Sequence, residues 1–288
     1  MRILTFDIEE WFHLLDHPAT RTEHQWNTFP SRFEKNLDRI FRILERHKSR
    51  ATFFVLGWTA EKYPSQIAKI EALGYEVACH SSRHQLIYEQ TREEFLLDLR
   101  MAQEAISSAT GKKVDTYRAP GFSITSSSLW ALEILAKEGF SVDCSIFPAK
   151  RAHGGLSSIN IDKPFQIETS DGLSLKEFPL NTASFFGARV VYSGGGYFRF
   201  FPTTVLEHMF AKGEYVMTYF HPRDFDLGQP RIAGLSPVRR FKSYYGIANC
   251  EDKLDFLLKR FRFTDVREAN ASLNWGTVPV HKLAPVGD

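Results

Sequence analysis

Between residues 3 and 143, five short apolar runs alternate with segments of helical period, and this alternation restricts the fold more than any other feature of the 288 residues. The runs cover 3–7, 51–55, 75–79, 116–118 and 140–143. Each is too short for a helix and reads as a strand, and 3–7 is apolar enough to suit one buried on both faces. The segment 31–46 lines up Phe33, Leu37, Ile40, Phe41 and Leu44 on one stripe, with Ser31 and Glu34 reading as a capping box. Residues 64–73 form a helix stopped by Gly74. Thr91 and Glu94 open another, with Phe95, Leu99, Ala102 and Ile106 inward and Gly111 at its end. A further helix, 126–138, closes at Gly139. Strand–helix–strand order of this kind predicts an α/β fold with a parallel sheet, either open or closed into a barrel.

Near Ala149 the alternation stops. Gly154-Gly155 opens a loop, and 165–168 and 173–178 flank the hairpin signal Asp171-Gly172. Gly194-Gly195-Gly196 reads as a second tight loop. A helix is expected over 204–212, a last buried strand over 215–220 and a closing amphipathic helix over 250–261. The tail after Asn270 reads as irregular.

Thirty-six Lys and Arg against 34 Asp and Glu leave a net charge of +2, too balanced for a nucleic-acid surface. The basic run Arg239, Arg240, Lys242 reads as a solvated face. No window approaches 18 uninterrupted apolar residues, so no transmembrane helix is expected. Met1-Arg2 runs directly into the first apolar run, and Cys79, Cys144 and Cys250 show neither a disulfide framework nor a CxxC pair. A cytoplasmic location is the expectation. The 25 Phe, 10 Tyr and 5 Trp read mainly as core, with Trp11, Phe12, Trp58, Tyr197 and Phe198 as candidate sugar platforms.

Polar residues gather where the apolar runs end, the edge on which parallel sheets and barrels build their sites. Asp7 and Glu9 are two apart and share a side of the strand, so one can hold a metal while the other takes a proton. Glu10 points away. His80 and His84, four apart in His80-Ser81-Ser82-Arg83-His84, would chelate one ion from one face of a helical turn, and Ser81 would fix that turn by a local hydrogen bond. Arg118 can hold a carboxylate in a planar fork. Pro120-Gly121 makes a turn whose amides, near Gly121 or Phe122, can face an oxyanion. Asp143 ends the fifth run, where it could orient a histidine or cap a loop. His221 ends the run 215–220.

In this order the segments resemble the NodB-homology polysaccharide deacetylases, carbohydrate esterase family 4. The resemblance rests on Thr5-Phe6-Asp7, on the His80 to His84 segment, on Arg118-Ala119-Pro120 and on Phe220-His221, with Asp143 a looser match. A narrower resemblance, to the branch found in exopolysaccharide and surface-glycan gene clusters, rests on Asp7-Ile8-Glu9-Glu10-Trp11-Phe12, Gly195-Gly196-Tyr197-Phe198-Arg199 and His221-Pro222-Arg223-Asp224-Phe225-Asp226. Many members carry adjacent aspartates where this chain has Asp7-Ile8, which makes Glu9 the metal carboxylate and Glu10 the fallback.

The resemblance implies a distorted, incomplete (β/α) barrel of about seven strands, with a deacetylase domain over 1–222 and an extension over 223–288 packed on it. It implies a divalent metal, Zn²⁺, held by Glu9, His80 and His84. Asp7 is then the base, held by Arg118, and His221 the acid, its pKa raised by Asp143. Gly121 and Phe122 face the oxyanion, and Trp11 and Tyr197 face the sugar. The implied reaction is removal of an N-acetyl group from an amino sugar in a glycan, lipid-linked glycan or nucleotide sugar, with transient contact at the inner membrane face. The alternatives are an amidohydrolase acting on a small cyclic or linear amide, and a non-catalytic glycan-binding relative. The sequence leaves the oligomeric state open.

Overall fold

A computed structural model describes the chain except for residues 16, 150–153, 186–187 and 284–288, and for 184, 185, 188 and 189 it describes the backbone alone. The chain divides into two compact units, Met1–Thr52 with Ala183–Ala269, and Phe53–Thr182 with Asn270–Asp288. The architecture is mixed α/β.

In the first unit the strand Thr5–Ile8 is wholly buried. Arg2–Ile3 pairs in parallel with Val216–Met217. The ladder continues as Phe220 N–H donates to the Thr5 carbonyl at 3.1 Å and Asp7 N–H to the Phe220 carbonyl at 2.7 Å. Phe6, Phe198, Phe220 and Phe225 meet with ring centroids 4.9 to 6.3 Å apart, so the end of this strand pair sits on an aromatic floor. Two helices cover it, Phe33–His47 and Cys250–Arg260. The first carries its expected stripe, but Ser31 and Glu34 form no capping box. The Glu10 carboxylate accepts the Arg32 N–H and the Ser31 hydroxyl instead. Gly194-Gly195-Gly196 is no loop: Gly195–Phe200 is a short helix.

The second unit holds the parallel ladder Glu76–Cys79, Thr116–Tyr117, Val142–Asp143 and Ser174–Glu177. Phe165–Glu168 returns antiparallel beside Ser174–Glu177, with Gly172 at φ +79° in the turn between them. The tail after Asn270 adds an edge strand, Val280–Lys282, parallel to Phe165–Glu168. The expectation of an irregular tail missed it because its pairing is long-range and its own pattern is polar. Thr91 caps the helix Arg92–Thr110 with the full capping box, and Gly111 ends it at φ +71°. A six-residue helix, Gly57–Lys62, follows the strand Thr52–Val55 and had no distinct signal in the sequence.

Candidate active site

Asp7 lies near the end of one strand and His221 follows its parallel neighbour, so both reach the same edge of the first unit. One ligand atom each from Asp7, Glu9 and His221 lies within 4.8 Å of the others. His221 Nε2 is 3.9 Å from an oxygen of Asp7 and 3.9 Å from one of Glu9. Its other ring nitrogen, Nδ1, is 3.2 Å from Asp224, which also accepts the His221 backbone N–H at 2.9 Å. Burial opposes the charged imidazole. Glu9, then Asp224 and Asp7, overcome it and push the His221 pKa up to about 9.

Asp224 is buried against Arg199 at 3.2 Å. Although burial works to raise its pKa, Arg199 and His221 hold it down at about 2. Asp224, three residues beyond the histidine, thus joins Glu9 in supporting the charged ring. Glu10, the fallback ligand, is committed to its helix N-terminus. Trp11 is buried, with its indole N–H on the Pro30 carbonyl and its ring edge-on to Phe12 and Phe29, so it offers no face to a sugar. Phe12, Trp58 and Phe198 are likewise buried, and Tyr197 alone of the five platforms is exposed.

In the second unit the register aligns Cys79, Tyr117, Asp143 and Glu177 across adjacent strands. His80 and Arg118, one step beyond, emerge at the same edge. His80 Nδ1 lies 2.8 Å from the Arg118 carbonyl. A carbonyl only accepts, so Nδ1 carries the proton and Nε2 the lone pair, the tautomer a metal ligand requires. His80 and His84 are both buried, their rings 5.6 Å apart.

The segment between them is not the helical turn that the spacing suggested. Ser81 and His84 adopt left-handed backbone, at φ +65° and +52°, a conformation that side-chain-bearing residues hold only where their surroundings enforce it. Here Asp98 accepts the N–H groups of Ser82 and Arg83 at 2.8 and 2.9 Å. The N–H groups of Gly57 and Trp58 donate to the Ser81 and Ser82 carbonyls. Ser81 Oγ reaches across to Tyr117 rather than fixing its own turn.

Arg118 is fully buried, its guanidinium 4.0 Å from the Phe54 ring centroid and its Nε directed at the Cys144 carbonyl. Asp143 accepts from Ser145 and pairs with Glu177, both wholly buried. Burial raises both carboxyls, Glu177 far above the usual range with Asp143 adding to its rise. Of the two amides expected at the oxyanion, that of Phe122 donates to the Ala119 carbonyl. Gly121, at φ +61°, remains the candidate.

Four residues were missed as contributors. Asp224 was legible as an acid three residues after His221 in a capping pattern. Arg199 lay in a quoted segment without a role. Asp98 and Glu177 looked like ordinary carboxylates of an amphipathic helix and strand.

The polysaccharide deacetylase family model matches residues 17–140, and a domain of unknown function, DUF3473, matches 144–271. The chain is 31% identical over 83 residues to the peptidoglycan-N-acetylmuramic acid deacetylase PdaC of Bacillus subtilis, covering 29% of this chain and 18% of that protein. It is 28% identical over 96 residues to a peptidoglycan-N-acetylglucosamine deacetylase of Bacillus cereus, covering 33% and 35%. It is 27% identical over 113 residues to a peptidoglycan deacetylase of Helicobacter pylori, covering 39% and 38%. The matches thus span less than two fifths of each of these relatives. A Mycobacterium smegmatis structure, provisionally described as a polysaccharide deacetylase, superposes over 99% of this chain and 93% of its own at a TM-score of 0.67 and 18% identity. That likeness shows the fold, and a NodB-like (β/α) barrel is consistent with it.

Proposed function

We propose that this chain, a member of the polysaccharide deacetylase family through residues 17–140, hydrolyses the N-acetyl amide of an amino sugar within a glycan, with the aid of a divalent metal. The observation that carries the reading is the acid–base arrangement of Asp7, Glu9 and His221, in which a carboxylate and an imidazole charged at neutral pH stand 3.9 Å apart. Hydrolysis of an amide needs both, one to take a proton from water and one to give a proton to the leaving nitrogen.

Glu9, His80 and His84 are the donors proposed for the metal. One carboxylate and two imidazoles suit Zn²⁺ and leave positions open, and the His80 tautomer fits. When bound, the ion supplies carbonyl polarisation and acidification of water. Asp7 takes the proton of the attacking water as the new C–O bond forms. The Gly121 amide donates to the developing oxyanion. His221, braced by Asp224, protonates the nitrogen as the C–N bond breaks, releasing acetate and a free amine. Tyr197 offers an exposed ring for a sugar face.

The segments shared with the exopolysaccharide branch favour a surface-glycan precursor as substrate, and three free, buried cysteines suit the reducing cytoplasm. Acetate release from a panel of N-acetylated oligosaccharides, lipid-linked glycans and nucleotide sugars tests the reading. Asp7→Asn and His221→Ala are each expected to lower turnover by roughly 10²- to 10⁴-fold with the fold intact. Near-normal turnover in either variant refutes its role, and activity confined to small cyclic amides refutes the substrate.

A further inference from the structure

We propose that the helix Pro237–Tyr244 docks this chain onto an anionic lipid surface. No residue of this helix is buried. At 100° per residue Val238, Phe241 and Tyr245, the residue that ends it, share one face, and they are 66%, 51% and 47% exposed. The Phe241 and Tyr245 rings stack at 4.6 Å, and Phe200, 56% exposed, adds a third ring 6.1 Å from Tyr245. Arg239, Ser243 and Tyr244 are half-buried on the other side.

On the same wheel Lys242 borders the apolar face, about 40° from Val238, whereas Arg240 lies about 160° from Val238, toward the opposite side. Both are exposed, and among the described residues neither has a carboxylate partner. The surrounding stretch 227–250 holds Arg231, Arg239, Arg240 and Lys242 and no Asp or Glu, in a chain whose net charge is only +2.

An apolar face bordered by Lys242, in a stretch with four cations and no acid, suits a helix lying in a membrane interface, where apolar side chains enter the acyl boundary and long Arg or Lys side chains reach phosphate headgroups. Its charge complements an anionic leaflet. A polyanionic glycan would engage the cations and leave Val238, Phe241 and Phe200 in water, so the lipid surface fits better.

The face is braced from within. Arg199 donates to the carbonyls of Lys242, Ser243 and Tyr245 and pairs with Asp224, which holds His221. Docking thereby ties the segment that bears the proposed acid to the surface on which a lipid-linked glycan would be carried.

Co-sedimentation of the full chain with phosphatidylcholine vesicles, with and without phosphatidylglycerol, tests this without any turnover. Binding to the anionic vesicles alone is expected. Arg240→Gln with Lys242→Gln should weaken it roughly thirtyfold, and Val238→Ser with Phe241→Ser should weaken it at unchanged charge, all with unchanged thermal melts. Absence of binding, equal binding to neutral vesicles, or wild-type binding by the Val238/Phe241 variant overturns the proposal, the last pointing to a soluble polyanion instead. A chain that sediments but deacetylates nothing would sink the enzymatic reading and leave this one standing. An active chain that does not sediment would do the reverse.

Discussion

Asp224 holds His221 at two points, the ring Nδ1 and the backbone N–H, and is itself held by Arg199. Glu9 exerts the largest upward pull on the imidazole, but a cation on Glu9 would share that pull and leave more of it to Asp224. The raised pKa keeps His221 protonated up to about pH 9, so activity that needs the acid is lost as pH rises through that value. In Asp224→Asn the alkaline limb of kcat/KM should move down by about a unit or more toward the ordinary histidine value; an unmoved limb in a pH–rate profile excludes the role. Glu177 makes a different prediction. Its carboxyl is raised well above the usual range by burial and by Asp143, so its contribution is full below the ordinary glutamate pKa and lost as pH rises toward the folded value. Glu177→Gln keeps a neutral partner for Asp143 and should flatten the fall in melting temperature as pH rises above the ordinary glutamate range. At this scale the sequence disclosed the residue types at the strand ends but not their partners, which come from other strands and helices at unrelated sequence positions.

The His80–His84 loop is held by two helices rather than by its own spacing. Asp98, on Arg92–Thr110, accepts two of its N–H groups. Gly57 packs so closely that a Cβ there would lie 2.7 Å from Ser82 Oγ and 2.8 Å from the Ala102 Cα. Asp98→Ala should cost 10- to 100-fold in zinc affinity by calorimetry, as loss of a supporting partner of a metal ligand does; unchanged affinity would mean that the loop holds itself. A second element-level test lies far from the chemistry. Asp255, on Cys250–Arg260, pairs with Lys259, His47 and Arg46, which hold its carboxyl well below the usual range against the upward push of burial. Stability from a depressed carboxylate is present above its unfolded pKa and lost as pH falls through the folded one. Asp255→Asn should therefore destabilise by about 1 kcal/mol at pH 7 and by less near pH 3 in denaturant melts. Helices with local caps were legible, as the Thr91 box shows. The Ser31 box failed because a distant carboxylate, Glu10, reached that helix end first. The glycine triplet failed because Gly195 and Gly196 open a helix whose residues Phe198 and Arg199 are fixed by tertiary partners.

Over the whole molecule, the alternation of short strand-like runs and amphipathic segments was enough to give an α/β fold with parallel strands, because each element carries its own local signature. The division into compact units was not legible. Their boundaries, at 52/53, 182/183 and 269/270, depend on contacts between distant segments. The balanced total charge likewise hid the acid-free basic stretch around Pro237–Tyr244, since an average over the chain erases a local excess. The order of the five motifs carried more information than any one of them, because each motif alone is short and common. The account stands most directly on acetate release from an N-acetylated amino-sugar oligomer, measured after chelation and again after zinc is restored, for the wild type and for Asp7→Asn. It predicts release by the wild type that chelation abolishes and zinc restores, and a loss of roughly a thousandfold in Asp7→Asn at any metal loading. Release that survives chelation, or that Asp7→Asn sustains at the wild-type rate, would contradict it.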